Sequence, residues 1–157
     1  MIPENNHLAA EDVEKIHLVK VNLMKFCVTA SEGYLEEAKE AAKLSVKMER
    51  DVSYDFEQGQ ARYRLYFQYK ALGSDEDAVG LDAEVGLEYF FKIDDFEKFV
   101  RREDGKKKVD LVLASSLMAI SYATSRGIVW EKLRATPFEG VLLPVIDSVK
   151  LLLDKEA

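Results

Sequence analysis

Residues 44–93 read LSVKMERDVSYDFEQGQARYRLYFQYKALGSDEDAVGLDAEVGLEYFFKI, and apolar and polar side chains alternate along most of this stretch. A period of two places alternate residues on opposite faces of a strand. Gln58-Gly59 and the polar residues 73–80 divide the stretch into three strands joined by hairpins. The predicted structure is an antiparallel meander with one apolar and one charged face. The residues predicted to face inward are Leu44, Val46, Met48, Val52, Tyr54, Phe56, Tyr63, Leu65, Phe67, Tyr69, Leu81, Ala83, Val85, Leu87, Tyr89, Phe91 and Ile93.

A fourth strand is predicted upstream, over residues 18–30, but its alternation is imperfect. Val19, Val21 and Leu23 fall on one face under strict alternation, whereas Phe26 and Val28 fall on the other with Met24. This pattern predicts a strand that is apolar, and therefore covered, on both faces. Strong helix formers predict short helices over residues 8–16 and 34–43.

The part of the chain beyond residue 93 is predicted to be helical. Asp94 and Asp95 are expected to cap a short helix over residues 96–102, which is followed by a basic loop. A long helix is expected over residues 110–130, then an extended apolar linker and a last helix over residues 146–154. We therefore expect a single α+β domain over residues 1–157: an N-terminal extension (1–17), an antiparallel sheet with a short helical insertion (18–93) and a helical part (94–157).

The long helix carries apolar residues almost all around its axis. One sheet can cover only one side of such a helix, so a second copy of the chain is the simplest cover for the other side. The predicted oligomer interface is Leu113, Leu117, Ile120 and Tyr122.

Charge and cysteine content limit the possible environments. The net charge of −7 disfavours nucleic acid and anionic membranes as main partners. Cys27 is the only cysteine, which is compatible with a reducing cytoplasm. The N-terminus shows no signal-peptide pattern, and the longest uncharged stretch, residues 111–125, is short and rich in hydroxyls. We expect a soluble cytoplasmic protein that does not insert into a membrane.

Motifs that carry catalytic or cofactor chemistry are not visible in the sequence. His7 and His17 have no metal-ligand spacing, and Ser115 and Ser116 lie in the predicted long helix. No glycine-rich phosphate-binding motif is present. The sequence therefore predicts no enzyme activity, no cofactor and no metal site.

One basic cluster spans residues 101–108, with Arg101, Arg102 and three lysines. It could contact nucleic acid or an acidic partner, or it could be a solvated loop. We favour the loop, because Glu103 and Asp104 interrupt the cluster and no aromatic residues are interleaved.

The predicted order of elements and several short motifs resemble the SecB family of export chaperones. The last strand of the meander ends in Phe91-x-Ile93, similar to the family's Phe-x-Ile, and Tyr122-Ala123 matches its Tyr-Ala pair. The stretch from Thr136-Pro137-Phe138 to Leu142-Leu143-Pro144-Val145 looks like the family's linker into the last helix. The resemblance covers residues 18–153, and the order of the motifs carries more weight than any one of them.

The resemblance implies a chaperone that works without ATP and binds unfolded polypeptides in protein export. It implies a homo-oligomer, a dimer of dimers, with clients bound along apolar grooves between the sheet and the last helix. The implied client-binding residues are Phe138, Leu142, Leu143, Val145, Ile146, Val149 and Leu152. The SecA motor is a possible partner through Asp82, Glu84 and Glu88, the nearest acidic equivalents in character.

Ser121, Thr124 and Ser125 depart from the residues that the family has around its Tyr-Ala pair. These departures leave room for a relative of the chaperones paired with toxin–antitoxin modules, or for a specific adaptor that binds one folded partner. A small-molecule-binding domain or enzyme, with a pocket between sheet and helix, is the third alternative.

Overall fold

The structure is a computed structural model and describes residues 8–154. Four long strands form one antiparallel sheet in the order β1-β4-β3-β2, with a long helix and a short C-terminal helix, which confirms the predicted α+β class. The elements are α1 (Ala10–Val13), β1 (Ile16–Ala30), α2 (Glu32–Glu36), β2 (Lys43–Asp55), β3 (Gln60–Leu72), β4 (Ala78–Ile93), a 3₁₀ turn (Phe96–Phe99), β5 (Val100–Glu103), β6 (Lys106–Val109), α3 (Leu111–Leu133) and α4 (Ser148–Leu153).

The core lies between the inner face of β3 and β4 and one side of α3. Tyr63, Leu65 and Leu87 are fully buried there, opposite Leu113 and Leu117 of the helix. The predicted inward-facing residues of β3 and β4 are all buried, because the register between these strands keeps their alternation in phase.

Buried hydroxyls connect α3 to the sheet and to its own backbone. The Tyr63 hydroxyl donates to the carbonyl oxygen of Ala114 over 3.0 Å, and the Tyr89 hydroxyl lies 2.6 Å from the Ser125 hydroxyl. Ser121 and Ser125 also donate to carbonyls four residues earlier, at 2.8 Å each. Serine is therefore tolerated in this buried helix because each hydroxyl has a partner.

Strand β1 differs from the prediction, because two β-bulges interrupt its pairing with β4. The register shifts between Leu18 and Lys20, and again between Leu23 and Lys25. Each extra residue reverses the alternation that follows. Leu18, Val21, Leu23, Phe26 and Val28 therefore all lie opposite inward-facing residues of β4. The prediction of a strand apolar on both faces is wrong: β1 has one apolar face, the inner one.

Two segments predicted as helix or loop also fold otherwise. The predicted helix over residues 34–43 is only the single turn α2, and β2 already begins at Lys43. The predicted helix over residues 96–102 is a 3₁₀ turn, and the basic loop is a β-hairpin made of β5 and β6. Tertiary pairing overrides local propensity at both places.

Helix α3 is long and apolar enough, by length and composition alone, to cross a membrane, which the prediction from residues 111–125 did not anticipate. It has 23 residues with a mean hydropathy of 1.2 in its most apolar window. Half of that window is buried inside the fold.

Candidate functional site

The chain after α3 turns back over the inner face of the sheet on the β2 side. We call residues 134–154 the C-terminal segment. Phe138 is 4% exposed, and its ring centroid lies 6.2 Å from that of Tyr69 on β3. Leu143 is buried, and the Arg126 side chain of α3 donates to its carbonyl oxygen over 3.1 Å. These contacts hold the first half of the segment against both the sheet and α3.

The second half of the C-terminal segment is attached to β2 through Arg50. Its Nε donates to the carbonyl oxygen of Leu151 over 2.5 Å, and its Nη2 donates to that of Asp154 over 2.9 Å. These carbonyls lie at the end of α4, where helix carbonyls lack partners and a cation is favourable. Asp147 caps the other end of α4 through the backbone N–H groups of Val149 and Lys150.

An apolar groove of about 260 Å³ remains between the start of β2 and the C-terminal segment. Its floor is formed by small and branched side chains of the sheet, and its wall by the Pro137–Phe138 turn. Leu44, on the inner face of β2, is 36% exposed at this groove. The lining residues are Ala41, Ala42, Lys43, Leu44, Ala71, Leu81, Pro137, Phe138 and Val141.

A second groove of about 180 Å³ lies on the outer side, between α3 and α4. Ala119 and Ala123 of α3 leave space there for a neighbouring side chain, because their own side chains are small. The remaining lining residues are Tyr122, Arg126, Val145, Ile146, Ser148 and Leu151. An extended apolar side chain fits the chemistry of either groove better than a charged one does.

The seven residues predicted to bind clients divide into three groups. Phe138 and Leu143 are buried and hold the C-terminal segment in place. Leu142 and Val145 are 61% and 82% exposed, so both are open to a partner. Ile146, Val149 and Leu152 are half-buried at the edge of α4. Sequence reasoning missed Leu44, Ala119 and Ala123, which become groove residues only through the packing of distant segments.

The β1 side of the same sheet face has no such cover. Leu18, Val21, Leu23 and Phe26 lie on the inner face and are 38–43% exposed. No part of residues 8–154 packs over these four side chains in the way that the C-terminal segment packs over β2. We call these four residues the β1 stripe. A contiguous exposed apolar patch of this kind usually marks an interaction surface.

The residues predicted for the oligomer interface lie mainly inside the protomer. Leu113 and Leu117 are fully buried against the sheet. Tyr122 is 5% exposed, and its hydroxyl donates to the carbonyl oxygen of Pro144 over 2.5 Å. Ile120 is the one member of the set with a half-exposed side chain. Their approximate helical position was visible in the sequence, but which side of α3 meets the sheet was not.

The three acids predicted to contact a motor protein lie on the outer face of β4. Asp82 and Glu84 are partly exposed, and Glu84 is paired with the Lys25 ammonium, whose hydrogen bond lowers the pKa of this carboxyl. Glu88 is buried and accepts hydrogen bonds from Asn22 Nδ2 over 3.0 Å and from Arg64 Nε over 2.6 Å. These bonds, that from Asn22 foremost, lower the pKa of Glu88. Contact with a motor stays a prediction, and Glu88 is the least accessible of the three.

Metal-ligating side chains do not converge within residues 8–154, where no group of three or more His, Cys, Asp or Glu could hold an ion. Cys27 is half-buried, and its thiol lies 3.6 Å from a carboxylate oxygen of Glu84. His7 lies outside the described residues, and His17 bonds to Asp94 over 2.8 Å at an exposed position.

Comparison with solved structures finds the same fold in the Mycobacterium tuberculosis SecB-like chaperone Rv1957, which was solved with a ChAD peptide from the antitoxin HigA1. The match has a TM-score of 0.56 at 11% identity and covers 85% of this chain and 92% of that one. A protein from Streptococcus agalactiae also aligns, but at a TM-score of 0.36, which carries no argument. Neither a family model nor a curated protein matches the sequence. The chain therefore has a SecB-like fold.

Proposed function

We propose that this protein is an ATP-independent, non-enzymatic chaperone that binds unfolded polypeptide segments in the cytoplasm. The observation that carries the proposal is the exposure of Leu142 and Val145 beside two apolar grooves. Apolar residues on an extended linker normally pack inward, as Phe138 and Leu143 do. The two exposed residues and the grooves together form a surface suited to apolar side chains of an extended client.

The driving force for binding is the burial of apolar surface, at about 25 cal/mol per Å² removed from water. The groove beside β2 also adjoins a free sheet edge, where backbone N–H and C=O groups of an extended client can pair. The fold shared with a SecB-like chaperone that was solved with an antitoxin peptide supports an extended peptide as the ligand class. We further propose that the protein delivers its clients to a SecA-like motor during protein export.

The test is binding of a fluorescently labelled polypeptide, once permanently unfolded and once native. We expect micromolar or tighter binding of the unfolded form alone. The variant Leu142→Asp/Val145→Asp should abolish binding and remain folded, because both side chains are largely exposed. Val13→Asp/Leu35→Asp is the matched control: both positions are exposed, at 53% and 73%, and neither side chain lines a groove.

If the folded Leu142→Asp/Val145→Asp variant still binds the unfolded client, the two grooves are not the client-binding site. The specific-adaptor alternative predicts instead that one native partner is captured and that the unfolded polypeptide is not. A chaperone that serves a toxin–antitoxin module predicts tight binding of a segment of its antitoxin and weak binding of unrelated unfolded chains.

The proposed assembly is a homo-oligomer in which a second copy covers the β1 stripe. Strand β1 is a 15-residue edge strand, and a second copy placed over the exposed stripe would bury its apolar side chains. This proposal replaces the buried Leu113 and Leu117 by the β1 stripe and keeps Ile120 as a helix residue at the interface.

A further inference from the structure

The β5–β6 hairpin, here called the basic hairpin (residues 100–109), concentrates positive charge in an acidic protein. It carries five cations and two acids, a net charge of +3, in a chain whose net charge is −7. Asp104 and Gly105 form the tight turn, with φ of 51° and 74°, whereas Glu103 is the last residue of β5 and pairs with Lys106. Five of the eight paired residues are basic and one is acidic.

The register of the hairpin places like charges directly opposite each other twice in succession. Arg101 pairs with Lys108, and Arg102 pairs with Lys107. Like charges at directly opposed positions are destabilising, and an isolated two-stranded ribbon is only marginally stable in water. The hairpin thus holds a charge arrangement that works against its own folding, and it needs compensation from elsewhere.

Acidic and aromatic side chains of the protein itself offset only part of the repulsion between these cations. Lys107 lies 3.4 Å from a carboxylate oxygen of Glu97 and 5.6 Å above the ring of Phe56. Arg101 reaches Asp110 at 3.4 Å, and Lys108 reaches Glu103 at 2.8 Å. Arg102 and Lys106 are exposed and form no ion pair with any residue between 8 and 154.

We propose that the basic hairpin docks a short acidic segment of a partner protein. Three or four carboxylates placed along the hairpin would pair with Arg102 and Lys106 and would relieve the repulsion between Arg101 and Lys108. This interaction lies away from the two client grooves and goes beyond the proposed chaperone activity, because it selects acidic rather than apolar segments.

A nucleic acid fits this surface less well. Each strand of the hairpin has four residues, which is about 13 Å in length. The rest of the chain carries a net charge of −10, and Asp94, Asp95 and Glu97 precede the hairpin directly. A longer polyanion would meet these acids within a screening length of about 8 Å at physiological salt. The described hairpin also has no aromatic side chain on which a base could stack.

The test is fluorescence anisotropy with three labelled probes at low salt, about 50 mM. The probes are a short peptide of alternating Glu and Ser, the same peptide with Gln in place of Glu, and a single-stranded DNA of equal length. We expect the Glu peptide to bind and the other two to bind at least about tenfold more weakly. Binding of the Glu peptide should weaken steadily as salt is added.

The variant Arg102→Gln/Lys106→Gln should weaken binding of the Glu peptide by about tenfold. Its melting temperature should be nearly unchanged, because the variant removes one repulsive pair, Arg102 opposite Lys107, and one attractive pair, Lys106 opposite Glu103. A loss of binding without a loss of stability separates docking from a structural role. Lys70→Gln/Lys92→Gln is the matched control: both lysines are exposed on the outer face of the sheet, and binding should persist.

Equal affinity for the Glu and Gln peptides would overturn the proposal, as would full binding by the Arg102→Gln/Lys106→Gln variant. DNA binding as tight as that of the Glu peptide would make the hairpin a general polyanion site and would also overturn it. Binding of an unfolded client is measured separately and should be unaffected by this variant, so a failure here leaves the chaperone proposal in place.

Discussion

The two halves of the inner sheet face differ in what covers them. On the β2 half, the C-terminal segment buries Met48 and packs Phe138 over Tyr69. On the β1 half, the four residues of the β1 stripe are each more than a third exposed. Both edge strands are long and apolar on this face, so strand composition does not explain the difference. Among the described residues, 8–154, one segment beyond α3 returns over the sheet, and that segment covers one half only.

The comparison shows that the exposed apolar side chains of the inner face lie in groups and are not spread evenly over it. On this face the exposed apolar side chains form a stripe on β1 and a rim on the C-terminal segment, and Leu44 and Val46 at the start of β2 are also 36% and 38% exposed, while α3 covers the centre of the face. We assign the stripe to a second copy and the rim to a client. Four predictions test whether the halves differ as proposed.

Disruption of the β1 stripe should have the largest effect. In Leu23→Asp/Phe26→Asp, charges replace two exposed apolar side chains at the proposed contact, so the oligomer should dissociate to single chains. Light scattering gives the mass, and circular dichroism checks that the fold persists. Lys20→Asp/Thr29→Asp changes the outer face of the same strand and should leave assembly intact. An unchanged mass for the stripe variant would refute the assignment of the stripe to a second copy.

Truncation of matched phenylalanines should separate the two halves by stability. Phe138→Ala should lower the free energy of unfolding by about 3–5 kcal/mol, because its ring is buried over Tyr69 and leaves a cavity. Phe26→Ala, at 39% exposure, should cost at most about 1.5 kcal/mol when the chain is monomeric. Urea unfolding at a protein concentration low enough to keep the chain monomeric provides both values. Equal costs would show that the halves are not differently packed.

Arg50 provides the attachment of the C-terminal segment to β2. Arg50→Met keeps most of the side-chain volume but leaves the carbonyls of Leu151 and Asp154 without this donor, at a cost of about 1–3 kcal/mol. Cleavage by a protease near α4 should become faster. Arg134→Met removes only an exposed pair with Glu131 and should cost less than about 0.5 kcal/mol. Unchanged cleavage in Arg50→Met would mean that packing alone holds α4.

The smallest effect on stability is expected at Glu88, on the outer face of the sheet behind the β1 stripe. Its bonds to Asn22 and Arg64 tie β1, β4 and β3 together, and they lower the pKa of the Glu88 carboxyl. A carboxyl whose pKa is lower in the folded state stabilises the protein at pH above the unfolded value of about 4.3, and this contribution is lost as the pH falls through the folded pKa. Glu88→Gln should therefore cost about 1 kcal/mol at neutral pH.

The difference between Glu88→Gln and the parent protein should vanish at acidic pH, once the parent carboxyl is protonated. Thermal unfolding of both proteins across the acidic range measures it. A difference that persists at the lowest pH would mean that the shape of Gln, and not the loss of charge, causes the destabilisation. Asp82→Asn, on the exposed part of the same strand, is the control and should have little effect at any pH.

The local sequence pattern was sufficient to predict the meander of β2, β3 and β4. It was not sufficient to predict the bulged edge strand β1 or the basic hairpin. Strands β2 to β4 alternate with a period of two, and hairpin turns fix their register, so the buried set from Tyr63 to Ile93 follows from sequence alone. The long helix follows from an unbroken run of helix-compatible residues. The basic hairpin does not, because five cations within eight residues indicate a loop when each residue is considered alone.

The sequence by itself determined the fold class, the inner face of the central strands and the apolar character of the linker. Each of these depends on side-chain spacing within one segment. Only the tertiary structure decided which residues are exposed. The β1 bulges exist only relative to β4, and they move Phe26 and Val28 to the face of Val21 and Leu23. The exposure of Leu142 and the burial of Leu143 depend on where the C-terminal segment lies, and contacts between distant segments fix that position.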